Sequence, residues 1–201
     1  MLDDRVRGVL SRLEEENARD SHESTLPLEE RSLQIDPTTG AFLFALCSGR
    51  PGCEVLELGG SRGYSTIWLG AAVRTHGGHV TSLEANPRKL EASARNIADA
   101  GLEEWIEVIP GDAFASLERL DGPWDVVFLD AWKDAYEPLF QLARGQLEPG
   151  AVVVADNIVS HPELRAYAAA RQSDPNLVSV TVPLDNGLEV TTILTDGLLS
   201  D

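Results

Sequence analysis

Two segments of this chain end in carboxylates that could do chemistry together. They are Phe128-Leu129-Asp130-Ala131-Trp132-Lys133-Asp134-Ala135-Tyr136 and Val154-Ala155-Asp156-Asn157. Each acid closes an apolar run of the kind that forms a buried strand. If the two strands lie side by side, Asp130, Asp156 and Asn157 gather three oxygen donors at one sheet edge. That set suits a hard dication such as Mg2+, with water and substrate oxygens completing an octahedron. No His/Cys set with zinc spacing competes with it. Lys133 follows Asp130 by three residues. A lysine beside a dication gives up its proton more readily, because like charge disfavours the ammonium form. It can then take a proton from a hydroxyl that the metal has acidified. Arginine, always charged, could not. Lysine occurs only at positions 89 and 133 among 16 basic residues, so its placement here carries information. The competing explanation is an exposed ion pair between Lys133 and Asp134.

A second constellation surrounds the turn Glu57-Leu58-Gly59-Gly60-Ser61-Arg62-Gly63. Glycines serve where backbone must touch a ligand or adopt positive φ. A helix starting at Tyr64 adds free N–H donors suited to a carboxylate. The spacing departs from the dinucleotide fingerprint Gly-x-Gly-x-x-Gly, since Ser61 stands at the second glycine. Glu57 would face a pyrophosphate unfavourably but can accept from an amino group. Glu84 ends the next apolar run, where a carboxylate can take both ribose hydroxyls. Asp112, in Gly111-Asp112-Ala113, is placed to accept from an adenine amino group. Acids at successive strand ends around a glycine turn point to a nucleoside-type ligand. The turn residues Gly59, Gly60, Ser61 and Gly63 favour S-adenosylmethionine over NAD. An NAD(P)-dependent oxidoreductase and a non-catalytic S-adenosylmethionine-binding protein are the rival functions.

These residues need elements to hold them. The chain has 201 residues, 43% of them hydrophobic, which suits one compact domain over 1–201. Residues 1–36 read as an N-terminal helical cap, with an amphipathic helix over 3–19, and 37–201 as the catalytic core. A further helix is expected over 38–49. Strands are expected at Cys53–Leu58, His79–Glu84, Ile106–Pro110, Asp125–Asp130 and Ala151–Asp156, and helices at Tyr64–Val73, Pro87–Ala100, Asp134–Gln146 and His161–Gln172. Runs without polar alternation, such as Asp-Val-Val-Phe-Leu-Asp, suit parallel strands buried on both faces. Leu177–Pro183 and Leu188–Leu194 flank Asp185-Asn186-Gly187, a hairpin signal. The pattern specifies an α/β fold: a mostly parallel seven-stranded sheet with a C-terminal antiparallel hairpin and helices on both faces.

Composition narrows the function. The net charge of −17 disfavours a nucleic-acid partner. No apolar run reaches the roughly 18 to 20 residues of a membrane span. The N-terminus lacks the signal-peptide pattern, so a cytoplasmic protein is expected. Cys47 and Cys53 have no metal-ligand spacing and read as small core residues.

The segments Leu-Glu-Leu-Gly-x-x-x-Gly-Tyr-Ser, Phe-Leu-Asp-x-Trp-Lys-Asp-x-Tyr and Ala-Asp-Asn resemble the cation-dependent O-methyltransferases, the group of the animal catechol and plant caffeoyl-CoA enzymes. The resemblance runs from about Gln34 to the hairpin. It implies the Rossmann-like class I methyltransferase fold, S-adenosylmethionine and a divalent cation as cofactors, and a small-molecule acceptor with catechol-like or vicinal hydroxyls. It implies Asp130, Asp156 and Asn157 as metal ligands and Lys133 as the catalytic base. It carries cofactor contacts onto Ile35, Glu57, Gly59, Tyr64, Ser65, Glu84 and Asp112 or Ala113, with Asp130 shared between cofactor and metal. It also implies a homodimer, as in the bacterial branch. Two features depart from the pattern. The acid that the animal enzymes carry before the hairpin aligns near Val180, and the stretch after Asn157 is short. The first puts the contact to the second catechol hydroxyl in question, and the second leaves the acceptor pocket open or completed by a partner subunit. Trp132 either walls an aromatic acceptor or packs in the core.

Overall fold

The computed structural model of the protein describes residues 2–23, 27 and 31–194. Seven strands form one sheet: β1 (Glu54–Leu58), β2 (His79–Glu84), β3 (Ile106–Pro110), β4 (Trp124–Leu129), β5 (Leu147–Ala155), β6 (Leu177–Val182) and β7 (Leu188–Ile193). Their order is β3-β2-β1-β4-β5-β7-β6. The first five strands run parallel; β7 is antiparallel to β5 and to β6. The seven-stranded α/β plan and the terminal hairpin thus match the sequence expectation. Strand order reverses between β1 and β4, which opens a crevice beyond their carboxyl ends.

Alternation along the strands divides the core into two layers. Val55, Val126, Phe128, Val152 and Val154 point to one face and Leu56, Leu58, Val127, Leu129 and Val153 to the other. The first face is covered by α1 (Asp4–Glu23), α2 (Pro37–Ser48), α3 (Tyr64–Val73) and α4 (Pro87–Ala100). The second is covered by α5 (Ala113–Leu117), α6 (Tyr136–Arg144) and α7 (Arg165–Ser173). In α1 the buried side chains Val6, Val9, Leu10 and Leu13 make one helical stripe. Cys47 and Cys53 are fully buried, as expected of core residues.

Several boundaries differ from the sequence expectation. β5 begins at Leu147 rather than Ala151, because Trp124 pairs with Leu147 before the register shifts at Val126. Helix α5, one short turn capped by Asp112, had no periodic signal to announce it. The helices expected from Asp134 and His161 begin with 3₁₀ turns, Lys133–Ala135 and Pro162–Leu164. Among the described residues no helix is long and apolar enough to cross a membrane.

Phe128 lies at the centre of this arrangement, fully buried and paired with Glu57 on one side and Val154 on the other. Phe128→Ala should cost about 3–5 kcal/mol of stability. Urea unfolding followed by circular dichroism should show a lower midpoint at unchanged slope.

Candidate active site

Three strand ends build the site. β1 runs into Gly59 and Gly60, whose N–H groups both donate to the Leu83 carbonyl of β2 at 3.0 and 3.1 Å. Gly59 has φ +104, and a Cβ there would collide with the backbone carbonyl of Asp130. This position needs glycine on both counts. A Cβ on Gly60 would meet the Ser82 hydroxyl. Ser61, where the dinucleotide motif has glycine, adopts φ +48 and holds the turn by two bonds. Its N–H donates to Glu84 Oε2 at 2.8 Å, and its hydroxyl donates to the Ser32 carbonyl at 2.9 Å. Gly63, at φ +88, starts α3 and packs on Ser93 of α4.

The turn forms one wall of a cleft whose lining includes Ile35, Gly59, Gly60, Ser61, Tyr64, Ser65 and Asp130. Seven expected contact positions therefore share one place. The opposite wall is Ser32–Ile35, fixed by the Ser61 bond and by the start of α2, where Asp36 caps Thr38 N–H at 2.8 Å ahead of Pro37. The cleft is closed to about 10 Å³, room for a water.

The remaining expected contacts lie around this cleft. Glu57 is fully buried behind Gly60; its Oε2 accepts from the hydroxyls of Thr66 and Ser82, while Oε1 has no partner. Burial pushes its carboxyl above the usual range, and the hydroxyl bonds only partly offset this. Glu84 accepts from Ser61 N–H and, through Oε1, from Asn86 N–H at 2.7 Å. Asp112 is exposed and accepts from Ala115 N–H at 3.1 Å as the cap of α5, with Ala113 as the first residue of that helix.

The acids at the ends of β4 and β5 do meet. Register pairs Leu129 with Ala155, and Asp156 N–H donates to the Leu129 carbonyl at 3.1 Å. Asp130 and Asp156 thus extend from neighbouring strands, and burial pushes both carboxyls up. The charge of Asp130 raises Asp156 further, whereas Lys133 pulls Asp130 down. Asn157 turns at φ +64, with its N–H on Asp156 Oδ1 at 2.7 Å. The hairpin turn holds the next residues: Ile158 N–H donates to the Gly187 carbonyl, and Val159 and Ser160 N–H to that of Asn186. Among the described residues no three His, Cys, Asp or Glu side chains form a metal cluster. The candidate set is two carboxylates and one amide.

Lys133 points into this acid pair, so the exposed Lys133–Asp134 pair is not what forms. Its Nζ donates to Asp130 Oδ1 at 3.2 Å, to the Ala131 carbonyl at 3.2 Å and to the Tyr136 hydroxyl at 3.0 Å. All three ammonium hydrogens have acceptors. Tyr136 in turn donates to the Asp156 carbonyl at 3.2 Å, tying the lysine to the second strand. Trp132 is 58% exposed at the rim, which excludes the core-packing reading.

Comparison with known proteins now bears on this geometry. A family model described as a methyltransferase domain matches residues 56–158, from β1 through the acid pair to the residue after Asn157. The chain belongs to the methyltransferase-domain family. A catechol O-methyltransferase of Niastella koreensis is 36% identical over 132 residues, covering 64% of this chain and 59% of that protein. A second, of Mycobacterium tuberculosis, is 35% identical over 128 residues, covering 63% and 58%. The chain thus spans under three fifths of the length of these curated relatives. The structure of the O-methyltransferase from Bacillus cereus in complex with SAH superposes with a TM-score of 0.78 at 26% identity, over 92% of this chain and 90% of that one. The O-methyltransferase resemblance carried by the motifs agrees with these relatives.

Within this methyltransferase domain, three sets of residues had no role assigned from sequence. Tyr136 stood inside the quoted Trp-Lys-Asp-x-Tyr motif, and its position there was the available signal. Thr66 and Ser82, which hold Glu57, come from two different elements and carry no local signature. Ser32, Leu33 and Gln34 sit in an aperiodic segment.

The raised Glu57 carboxyl makes a pH prediction. A carboxyl whose folded value exceeds its unfolded value stabilises the fold below the unfolded value, and that stability is lost as pH rises through the folded value. Stability of the cofactor-free protein should therefore fall on going from about pH 4 toward about pH 8. Glu57→Gln stays neutral and should fall less steeply, with Asp130 and Asp156 keeping part of the slope. Urea midpoints measured across that range give the answer; parallel slopes for both proteins would rule out Glu57 as a contributor.

Proposed function

We propose that this protein transfers a methyl group from S-adenosylmethionine to a hydroxyl of a small acceptor bearing catechol-like or vicinal hydroxyls, assisted by a divalent cation such as Mg2+. The observation that carries this is the pair of fully buried Asp156 and half-buried Asp130, held with Lys133 beside the glycine turn. The comparison proteins named as catechol O-methyltransferases support the acceptor class.

The residues fit both groups. Burial raises the proton affinity of both carboxylates and the charge of Asp130 raises that of Asp156 further, an arrangement that a positive charge would relieve, and oxygen donors suit a hard cation. Asp130, Asp156 and Asn157 would hold the cation, which supplies Lewis acidity toward the acceptor hydroxyl when bound. For the methyl donor, Gly59 and Gly60 let the backbone approach, and Glu57 Oε1 is a buried acceptor without a partner. Ile35, Ser61, Gly63, Tyr64 and Ser65 would surround its methionine end, Glu84 its ribose, and Asp112 and Ala113 its adenine. That donor supplies an electrophilic methyl on sulfur.

The chain's own contribution is positioning and proton removal. Lys133 Nζ, in the neutral amine form that a bound dication would favour, would take the acceptor's hydroxyl proton; the oxygen would then form a bond to the methyl carbon as the methyl–sulfur bond breaks and S-adenosylhomocysteine leaves. Tyr136 and the Ala131 carbonyl hold Nζ at the acid pair. Effective concentration and acidification supply most of the acceleration, with no covalent enzyme intermediate.

The tests separate the roles. Isothermal titration should show binding of S-adenosylhomocysteine and not of NADH; binding of NADH alone would sink the assignment. A panel of catechols, caffeate-type esters and flavonoids with Mg2+ should reveal turnover that excess EDTA removes. Asp156→Ala should abolish that turnover and leave S-adenosylhomocysteine affinity within about threefold. Lys133→Met should lower kcat by about 10²–10⁴, the usual contribution of a general base. Methylation that persists in EDTA excludes the metal role, and an active Lys133→Met enzyme with an unshifted pH profile excludes the base.

A further inference from the structure

The glycine turn has little of its own to hold it. Glycine backbone is conformationally permissive, so such a turn keeps one shape only where outside groups fix it. Ser61 is fixed by Glu84 and by the Ser32 carbonyl. Two further contacts fix the rest, and both lead back to α1. Among the described residues, none of the cofactor-cleft lining comes from that helix.

The first contact is direct. Tyr64, the first residue of α3, is buried and forms part of the cleft wall. Its hydroxyl donates to Glu14 Oε1 of α1 at 2.7 Å. The acceptor is a carboxylate on a half-buried side chain, and such a bond is stronger than one between neutral groups. The second contact passes through α4. Arg12 Nη2 donates to Asn96 Oδ1 at 3.0 Å, and Asn96 Nδ2 donates to the Arg62 carbonyl of the turn at 2.8 Å. Asn96 is buried, and both ends of its amide are used. Ion pairs to Glu16 at 3.2 Å and Asp99 at 3.1 Å hold the Arg12 guanidinium in place. Docking of α1 needs neither contact, because Val6, Val9, Leu10 and Leu13 already bury its apolar stripe. Arg12 and Glu14 flank Leu13 and reach past the stripe to the turn and to the cleft wall.

We propose that α1 is part of the methyl-donor site, with Glu14 and Arg12 as positioning residues. They hold the Tyr64 wall and the Arg62 carbonyl in place while the donor binds. The inference rests on the reading of this cleft as the donor site. Neither residue touches the donor: Glu14 acts through the Tyr64 ring and Arg12 through Asn96. A wall and a turn already fixed need no ordering when the ligand arrives, so these bonds contribute to its affinity.

The experiment is isothermal titration of the full chain with S-adenosylhomocysteine. Glu14→Ala and Tyr64→Phe each remove one side of the same bond and should weaken binding by about threefold to tenfold. The double variant should bind no more weakly than the weaker single one, because only one interaction is lost. Glu14→Gln, whose amide oxygen still accepts from the hydroxyl, should bind within about twofold of wild type. Arg12→Ala should weaken binding by a similar factor to Glu14→Ala, and wild-type affinity there overturns the Asn96 route. A role for Glu14 in packing alone would lower the urea midpoint of Glu14→Ala and spare its affinity, which overturns the proposal. Losses that multiply in the double variant overturn it as well. Wild-type protein that binds no S-adenosylhomocysteine overturns the donor reading and this inference together; wild-type binding with unaffected variants overturns this inference alone.

Discussion

The approach of Gly59 to the carbonyl of Asp130 is the contact on which the site depends. β1 and β4 are neighbours only because strand order reverses between them, and their pairing continues to Leu58 and Leu129. Asp130 N–H then donates to the Leu58 carbonyl at 3.0 Å, so the two chains leave the sheet still touching. Any side chain at 59 would separate them. With glycine there, the turn and the first acid share one cleft. A ligand held by the turn must then lie against Asp130.

The second constraint is electrostatic. Glu57 and Asp156 are buried in this region and Asp130 is half-buried, inside a protein that is already strongly acidic. Each is treated differently. Glu57 has two hydroxyl donors and no cation, Asp130 has Lys133, and Asp156 has only the Asn157 N–H on its carboxylate. Tyr136 keeps Lys133 from collapsing fully onto Asp130, because one of its three donors goes to the phenol. A lysine so divided stays near the acids without neutralising both.

How much of this was legible in the sequence follows from the range of each interaction. Strands and helices with long apolar periodicity were readable, because one period repeats many times. The acids at strand ends were readable because a buried run stops at a charged residue. The 3₁₀ turn at Lys133–Ala135 was not, since a single turn has no period to detect. Nor was the start of β5 at Leu147, where Pro149 and Gly150 look like loop and pairing with Trp124 overrides them. The Ser61 bond to Ser32 spans 29 positions, and local pattern says nothing about contacts of that kind. Glu57 was legible as an acid at a strand end, but its confinement by Thr66 and Ser82 depends on α3 and β2 packing around it.

The C-terminal hairpin has a consequence beyond closing the sheet. Its turn supplies the Gly187 and Asn186 carbonyls that fix residues 158–160, and those bonds begin one residue after Asn157. Asn157 is held at positive φ, which asparagine tolerates better than most residues. The backbone that follows the proposed third oxygen donor is thus held by the turn between β6 and β7. The same hairpin leaves Val180 55% exposed, and Val159 beside the turn is 58% exposed. Trp132 is also open to solvent.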